Sequence, residues 1–510
     1  MISQLTHEEV LKNVFGYPSF RPGQKEIIEA VLAGRDCIGV MPTGAGKSLT
    51  YQIPARLLPG VTLVVSPLIS LMKDQVDAAV SVGLKATFLN SSLTPDERRA
   101  RIEGLERGEY ELVYAAPEGL EAGAGAALAG KKLALIAVDE AHCISQWGHD
   151  FRPAYRNLKG LKERFGVPVL ALTATATPPV VNDIVEQLAM ENPLRVRGSF
   201  FRPNLHISAY LKTGEKAAPR PGTVNDTKNS ILRLVKSRAG QSGIVYCLSR
   251  RSVESMAEYL SGRGVKALAY HAGMESAQRE HVQNAFKSDD ADVIVATVAF
   301  GMGIDKPDVR FVIHRDMPRS VESYIQEVGR AGRDGAPSDC VMFYSWADVM
   351  SYERLVSDLD AKQAEWHRSR AREMFRSFDR KVCRHQTMAK HLGEDMAPCG
   401  ASCDSCANFD PVGSAPAVAT AKKMSFGSRA PSETEHTSAG NSLFSKLKAL
   451  RKKLADARHV PAYMVFNDAT LMAMTSQMPK NESEMRQVSG VGPKKWVEYG
   501  EIFLAALREG

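Results

Sequence analysis

DCIGVMPTGAGKS, residues 36–48, is a short apolar run that breaks into a glycine-rich turn and then opens a helix. Strand, turn and helix in that order give a geometry in which successive backbone N–H groups and a helix N-terminus cradle phosphates. In the loop from Thr43, Gly44 and Gly46 let the backbone curl without a Cβ, Lys47 can reach β- and γ-phosphates, and Ser48 can hold Mg²⁺. The usual pattern has glycine where Met41 stands, and a plain glycine-rich turn is the competing reading.

The same alternation extends outward. VTLVVSP, ELVYAAP, LALIAVDE and PVLALTA follow before residue 174, separated by stretches long enough for crossover helices. That pattern predicts a parallel sheet covered on both faces. It restarts at 243 with GIVYCLS, VKALAYH, DVIVATV, VRFVIHRD and CVMFYS, interleaved with the helix-like SVESMAEYL and SAQREHVQNAFK. The fold class is therefore α/β, with two tandem lobes over 1–197 and 198–345 joined near 198–230. Beyond Ser345 a charged helical stretch runs into a cysteine cluster, so 346–410 is expected to be a helical metal-binding module. Residues 411–440, rich in Pro, Ser, Ala, Gly and Thr, read as a flexible linker. In 441–510, Leu443, Phe444, Leu447, Leu450 and Leu454 fall at helical spacing while Lys446, Lys448, Arg451, Lys452 and Lys453 cover the remaining surface. A small all-α domain is expected there. Its lysines, with Lys494 and Lys495 after the Gly490-Val491-Gly492 turn, either meet phosphates or form a solvated face.

A chain of 510 residues has room for three or four domains at roughly 150 residues each. Peptide hormones, small toxins and single binding modules are excluded. The excess of 65 basic over 58 acidic residues is too mild to predict a polyanionic partner. MISQLTHEEV does not read as a secretory signal, no segment approaches a membrane-spanning length, and a disulfide framework is improbable, so a reducing cytoplasm is the expected compartment.

Two further segments complete a phosphoryl-transfer reading. LIAVDEAH ends a strand in Asp139 and Glu140, where one carboxylate can hold the Mg²⁺ shell and the other orient an attacking water. An acidic strand end facing solvent is the bland alternative. SYIQEVGRAGRDG (323–335) offers Gln326, Arg330 and Arg333 on one predicted helix, with both arginines on one face, able to reach across a cleft to γ-phosphate charge. A solvated basic helix would look similar. Cys383, Cys399, Cys403 and Cys406 suit a closed tetrahedral structural Zn²⁺ site, against a redox pair or unliganded thiols. His385 and His391 lie nearby as substitutes.

Taken together, the ordered segments resemble superfamily-2 helicases and, within them, the RecQ family of DNA helicases. The series is FGYPSFRPGQ (15–24), MPTGAGKS (41–48), SPLISLMKDQ (66–75), DEAHCISQWGHDFRPAY (139–155), LTATAT (172–177), VATVAFGMGIDKPDVR (295–310) and QEVGRAGRDG (326–335). The resemblance implies two RecA-like lobes binding ATP with Mg²⁺. Tyr17, Arg21 and Gln24 would grip the base, Lys47 and Ser48 the phosphates and Mg²⁺. Asp139 would support the metal, Glu140 act as catalytic base and Arg333 as arginine finger. Trp147, His149, Phe151 and Arg152, with Tyr155, fall in the family's aromatic-rich loop, which couples DNA binding to hydrolysis; packing in a core is the other reading. The zinc module matches with one extra residue, since Gly400, Ala401 and Ser402 separate the second and third cysteines. Residues 441–510 resemble the helicase-and-RNase-D C-terminal (HRDC) domain.

One departure stands out. Many family members carry a winged-helix domain of roughly 100 residues after the zinc module, and the stretch 411–440 is too short to fold into one. The resemblance implies a 3′-to-5′ ATP-dependent DNA helicase acting on single-stranded and forked or junction DNA in repair and recombination. It would be cytoplasmic and nucleoid-associated, with single-strand-binding or recombination proteins as candidate partners and no membrane. The missing domain motivates an alternative, a DNA-stimulated translocase or strand-annealing ATPase with weak unwinding. An RNA helicase is disfavoured by the aromatic-rich loop. A non-catalytic zinc scaffold is disfavoured by the intact Lys47, Glu140 and Arg333.

Overall fold

The computed structural model describes residues 5–67, 69–120, 125–146, 148, 150–213, 220–301, 306–357, 360–407, 409–416, 438–458 and 460–508. β1 (Cys37–Val40), β2 (Val61–Val65), β3 (Ala86–Leu89), β4 (Leu112–Ala115), β5 (Leu133–Val138), β6 (Val169–Thr173) and β7 (Leu194–Arg197) form the first sheet. Their order is β3-β4-β2-β5-β6-β1-β7, with every pairing parallel. Both faces are covered, and one strand shows why the sequence runs are continuously apolar. In β6, Val169 and Ala171 enter one core while Leu170 and Leu172 enter the other. Because β5, β6 and β1 are neighbours, the loops leaving their C-terminal ends open onto one crevice, the usual ligand site of such sheets.

The second sheet holds β8 (Leu205–Lys212), β9 (Thr223–Val224), β10 (Ser242–Tyr246), β11 (Ala267–Tyr270), β12 (Val293–Ala296), β13 (Val309–His314) and β14 (Ser338–Tyr344). It is also parallel, in the order β11-β12-β10-β13-β14-β8-β9. Each apolar run named in the sequence contains one of these strands. The segment read only as a join supplies β8 and β9 as well, since Leu205, Ile207 and Ala209 alternate onto the core of the second lobe.

After β14 the chain makes a helix pair, Trp346–Leu355 and Ala361–Asp379, rather than one charged helix. Asp360 breaks it by capping the second, accepting from Lys362 N and Gln363 N at 3.1 and 3.0 Å. The cysteine-bearing segment then folds against the free edge of β8, where Ile207 N donates to Ser402 O at 2.9 Å and Ala209 N to Asp404 Oδ2 at 3.0 Å. It also reaches the first lobe. Leu392 is fully buried in that lobe's core, and Glu394 accepts from Ser199 Oγ at 2.6 Å and Phe200 N at 2.7 Å.

The expected linker begins later than its composition suggests. Pro411–Ser414 is a short helix, and Val412 and Ala415 are buried against the second lobe. Residues 417–437 of that stretch lie outside the described residues. The C-terminal helices Ser438–Arg458, Asp468–Gln477, Glu482–Gln487 and Glu501–Arg508 enclose a separate core around Leu447, Phe466, Leu471 and Phe503.

The basic helix Ser438–Arg458 is turned inward onto the second lobe. Arg451 is fully buried, donating to Phe466 O at 2.9 Å and Asp468 Oδ1 at 2.8 Å, with Asp289 at 3.4 Å and Asp308 at 3.7 Å. Lys306, also buried, pairs with Asp289 at 2.7 Å and Asp308 at 3.2 Å. Lys448 donates to Gly240 O and Lys452 pairs with Asp290. Removing one partner of a buried ion cluster leaves uncompensated charge, which typically costs about 3–5 kcal/mol. Arg451→Met should therefore lower the calorimetric transition temperature of the C-terminal domain, with a loss of stability in that range. An unchanged transition would mean the cluster carries no net stability.

Candidate active site

The phosphate loop follows β1 as the sequence requires. Gly44 and Gly46 adopt φ of 83° and 77°, and a Cβ on Gly46 would lie 2.5 Å from Gln24 Nε2. Gln24 is buried beneath the loop and donates to Ala45 O and Gly46 O, each at 3.0 Å. Its Oε1 accepts from Arg21 N at 2.8 Å. The amide that the resemblance assigns to the base thus braces the loop here. Arg21 Nη1 donates to Gly44 O, and the Tyr17 side chain is half exposed. Lys47 Nζ donates to Met41 O at 3.2 Å, and Ser48 precedes the helix Leu49–Leu57 without a side-chain capping hydrogen bond.

β5 delivers the carboxylates. Asp139 Oδ1 accepts from Glu140 N at 3.0 Å, and burial together with the Glu140 charge pushes Asp139 up to about 6. Glu140 sits at φ 47°, a left-handed conformation that costs a residue with a Cβ about 1–3 kcal/mol and concentrates at functional sites. From Glu140 a chain of contacts crosses the cleft. Its Oε2 lies 3.2 Å from His142 Nδ1, which is 2.9 Å from Thr173 Oγ1 at the end of β6. Thr175 N donates to Thr173 Oγ1 at 3.2 Å, and Gln326 Nε2 of the second lobe donates to Thr175 Oγ1 at 3.1 Å. His142, Thr173 and Thr175 were not singled out from the sequence. The threonine alternation of LTATAT directly after a strand was the available signal.

The arginines depart from expectation. The helix Val321–Val328 ends before them, with Gly329 as its cap and Gly332 at φ 54°, so Arg330 and Arg333 occupy a turn and do not share a helix face. The Arg333 side chain packs 3.5 Å from the point where a Cβ of Gly44 would stand. Arg330 instead faces the Tyr246 hydroxyl within the second lobe. The structure therefore brings Arg333 to the phosphate loop and leaves Arg330 behind it. Lys287 of the second lobe and Asp74 of the first pair at 2.5 Å across the cleft.

Of the aromatic-rich segment, Trp147 and His149 lie outside the described residues. Phe151 is partly exposed with the Arg156 guanidinium over its ring, and Arg152 Nη1 donates to Pro67 O at 3.0 Å. Tyr155 is fully buried core, its hydroxyl donating to Asp139 O at 3.0 Å. That hydrogen bond ties the base of the segment to the backbone carbonyl of Asp139.

The four expected cysteine sulfurs lie within 4.8 Å of one another. A tetrahedral site with Zn–S of about 2.3 Å needs sulfurs about 3.8 Å apart, so the set fits Zn²⁺. Burial opposes ionisation of Cys383, yet the Gln386 and Cys399 N–H groups aimed at its sulfur leave that thiol below its usual value. His385 is engaged elsewhere, near Leu205 O at 3.0 Å.

His391 is likewise committed, with Glu322 at 2.8 Å on one nitrogen and Glu373 at 3.1 Å on the other; Arg370 also meets Glu322 at 3.0 Å. Burial opposes its charge, but the two carboxylates lift His391 to about 9 from 6.5, while Glu322 is held below the usual carboxylate range. A raised histidine stabilises fully below its unfolded value and loses that contribution as pH rises through its folded value. The melting temperature of the wild type relative to His391→Gln should accordingly fall between about pH 6.5 and 9. A constant difference across that window would exclude a charged His391.

Comparison with known proteins adds identity to this geometry. Family models match in succession: DEAD/DEAH box helicase over residues 21–184, helicase conserved C-terminal domain over 226–335, RecQ zinc-binding over 346–407 and HRDC domain over 441–507. The chain is 37% identical to the ATP-dependent DNA helicase RecQ of Haemophilus influenzae, covering 100% of this chain and 97% of that one. That alignment spans 615 positions against 510 residues, so parts of the relative have no counterpart here. The Bacillus subtilis ATP-dependent DNA helicase RecQ is 34% identical over 98% of each chain. Among solved structures, the Mycobacterium smegmatis helicase Lhr bound to single-stranded DNA and AMP-PNP aligns with a TM-score of 0.53 and 24% identity. It covers 70% of this chain, which spans only half of Lhr. Mss116p bound to single-stranded RNA and AMP-PNP gives 0.56 and 16%, covering 77% and 91%. At these identities the likeness is one of fold. Among the described residues, no helix is long and apolar enough to cross a membrane.

Proposed function

The chain belongs to the RecQ family of ATP-dependent DNA helicases, and on that premise we propose that it travels 3′ to 5′ along single-stranded DNA, separating duplex or junction strands in repair and recombination. The observation that carries this reading is the contact chain from Glu140 through His142, Thr173 and Thr175 to Gln326, which spans both lobes. Such a chain makes the carboxylate's orientation depend on closure of the cleft.

In this proposal Tyr17 and Arg21 stack on the adenine, and Gln24 reads its edge only by exchanging its loop hydrogen bonds for the base. Lys47 leaves Met41 O for the phosphates, which the loop's N–H groups and the helix N-terminus hold. Glu140 orients the attacking water and accepts its proton. Arg333 meets charge developing on the γ-phosphate, with Arg330 holding the turn against Tyr246. Mg²⁺, when bound through Ser48 and Asp139, supplies a positive centre for the phosphate oxygens. Zn²⁺, when bound by the four thiolates, supplies a structural cross-link without an open position for water.

Trp147, His149, Phe151 and Arg152 grip unpaired bases and backbone, so recognition is independent of sequence. Forked or junction DNA is the proposed substrate, single-strand-binding or recombination proteins the proposed partners, and nucleoid DNA in the cytoplasm the proposed location. A second reading, a translocase or annealing ATPase with weak unwinding, is supported by the relative's unmatched length. ATP hydrolysis measured with and without single-stranded DNA tests the coupling. Trp147→Ala should reduce the stimulation by DNA with little change in KM for ATP, and full stimulation in that variant would reduce the loop to packing.

A further inference from the structure

Arg202 lies in the segment between the lobes, outside every motif that suggested a role. Its side chain is partly buried and stands between the two halves of the nucleotide site. Nη2 donates to Ala331 O at 3.0 Å and Gly332 O at 2.5 Å, in the turn that bears Arg333, while Nη1 donates to Thr43 O in the phosphate loop at 3.3 Å. We propose that Arg202 is a positioning residue for ATP hydrolysis, setting the reach of Arg333 toward the phosphates by spanning the arginine turn and the phosphate loop with one guanidinium.

The distances say which half Arg202 travels with. Its bonds to the arginine turn are short and paired, and Asn204, two residues on, strengthens the same grip by donating to Gly332 O at 2.9 Å and Ala336 O at 3.0 Å. The bond to Thr43 O is single and longer, so it yields first when the lobes part. Because the helix has already ended at Val328, the turn has no helical ladder to hold Arg333; Gly332 N donating to Val309 O at 2.9 Å and the Arg310–Asp334 pair at 2.6 Å anchor its far side, and the clasp fixes the side toward the phosphate loop. A planar fork offers donors from separate nitrogens in fixed directions and so spans the turn and the loop, whereas a lysine ammonium directs its donors from a single nitrogen on a flexible stem. Among the described residues Arg202 makes no ion pair, and the Asp334 charge only partly offsets its own. Burial pulls its pKa below the usual value, with the Arg333 and Arg21 charges acting in the same direction, but a guanidinium remains protonated.

This inference rests on the assignment of Arg333 to the γ-phosphate, and a double-mutant cycle separates the two claims. Single-turnover ATP hydrolysis with saturating single-stranded DNA would be measured for wild type, Arg202→Ala, Arg333→Ala and the double variant, using the full chain. Displacing a catalytic group by about 1 Å can cost on the order of 10²-fold. Arg202→Ala should therefore slow hydrolysis by about that factor with ATP affinity little changed, Arg202→Lys should not restore it, and the double variant should be no slower than Arg333→Ala. Losses that multiply, rescue by lysine, or a fall in melting temperature alone would overturn the proposal. Should Arg202→Ala not fold, Arg202→Gln, which keeps a donor for one carbonyl, enters the same cycle. Normal hydrolysis in Arg333→Ala would refute the finger assignment itself, whereas a slow Arg333→Ala beside a normal Arg202→Ala would refute only the positioning role.

Discussion

Glu140→Gln should lower ATP turnover by about 10²–10⁴-fold, the range expected when a positioned general base is removed, while ATP still binds. Gln has the shape of Glu but accepts no proton, so the loop after β5 keeps its form and the chemistry stops. The left-handed backbone at Glu140 and the 3.2 Å contact to His142 fix where this carboxylate stands. Lys47→Ala removes a phosphate ligand instead, so it should lose turnover and ATP affinity together. Equilibrium binding of a fluorescent ATP analogue beside hydrolysis distinguishes the two patterns. Wild-type turnover in Glu140→Gln would remove Glu140 from the mechanism.

The second large effect concerns zinc. Structural Zn²⁺ sites contribute on the order of 10 kcal/mol to folding, because the ligand set exists only in the folded state. Here the site is not an isolated appendage. Cys403 is fully buried in the core of the second lobe, Leu392 enters the core of the first, and Glu394 holds Ser199 and Phe200. A module that folded by itself would lose its metal and unfold before the chemistry was touched. The packing predicts instead that chelation, or Cys403→Ser, lowers the melting temperature and ATP turnover together. Zinc release followed with a chromophoric chelator, alongside calorimetry and hydrolysis on the same samples, would read this. Metal-free protein with unchanged melting and turnover would contradict it.

Much of this architecture is legible in the chain because the parallel strands are buried on both faces and so appear as unbroken apolar runs. The buried β3 and β8 escape notice although they carry that signature, and β7 and β9 escape because they lack it. LRVR of β7 alternates with charge at a sheet edge, and β9 is two residues long. The phosphate loop and the carboxylates after β5 are local motifs and could be read locally. Arg330 and Arg333 could not, because their turn is held partly by Arg202 and Asn204 from a distant part of the chain and partly by Val309 and Arg310, and the helical spacing inferred for them is overridden. Nor can spacing tell whether a basic helix faces water, a nucleic acid or its own protein. Arg451, Lys448 and Lys452 turn out to bind the second lobe, which removes them from the phosphate contacts considered for that helix. His142 shows the same limit, since its partner Thr173 lies at the end of β6, 31 residues on.

The most direct test of the motor reading is ATP-dependent strand separation on matched 3′-tailed and 5′-tailed duplexes, with ATP hydrolysis recorded in the same reactions and Glu140→Gln as the inactive control. The account predicts separation of the 3′-tailed substrate only, with hydrolysis stimulated by DNA. Hydrolysis stimulated by both substrates with neither separated would contradict it and leave a translocase or annealing ATPase in its place.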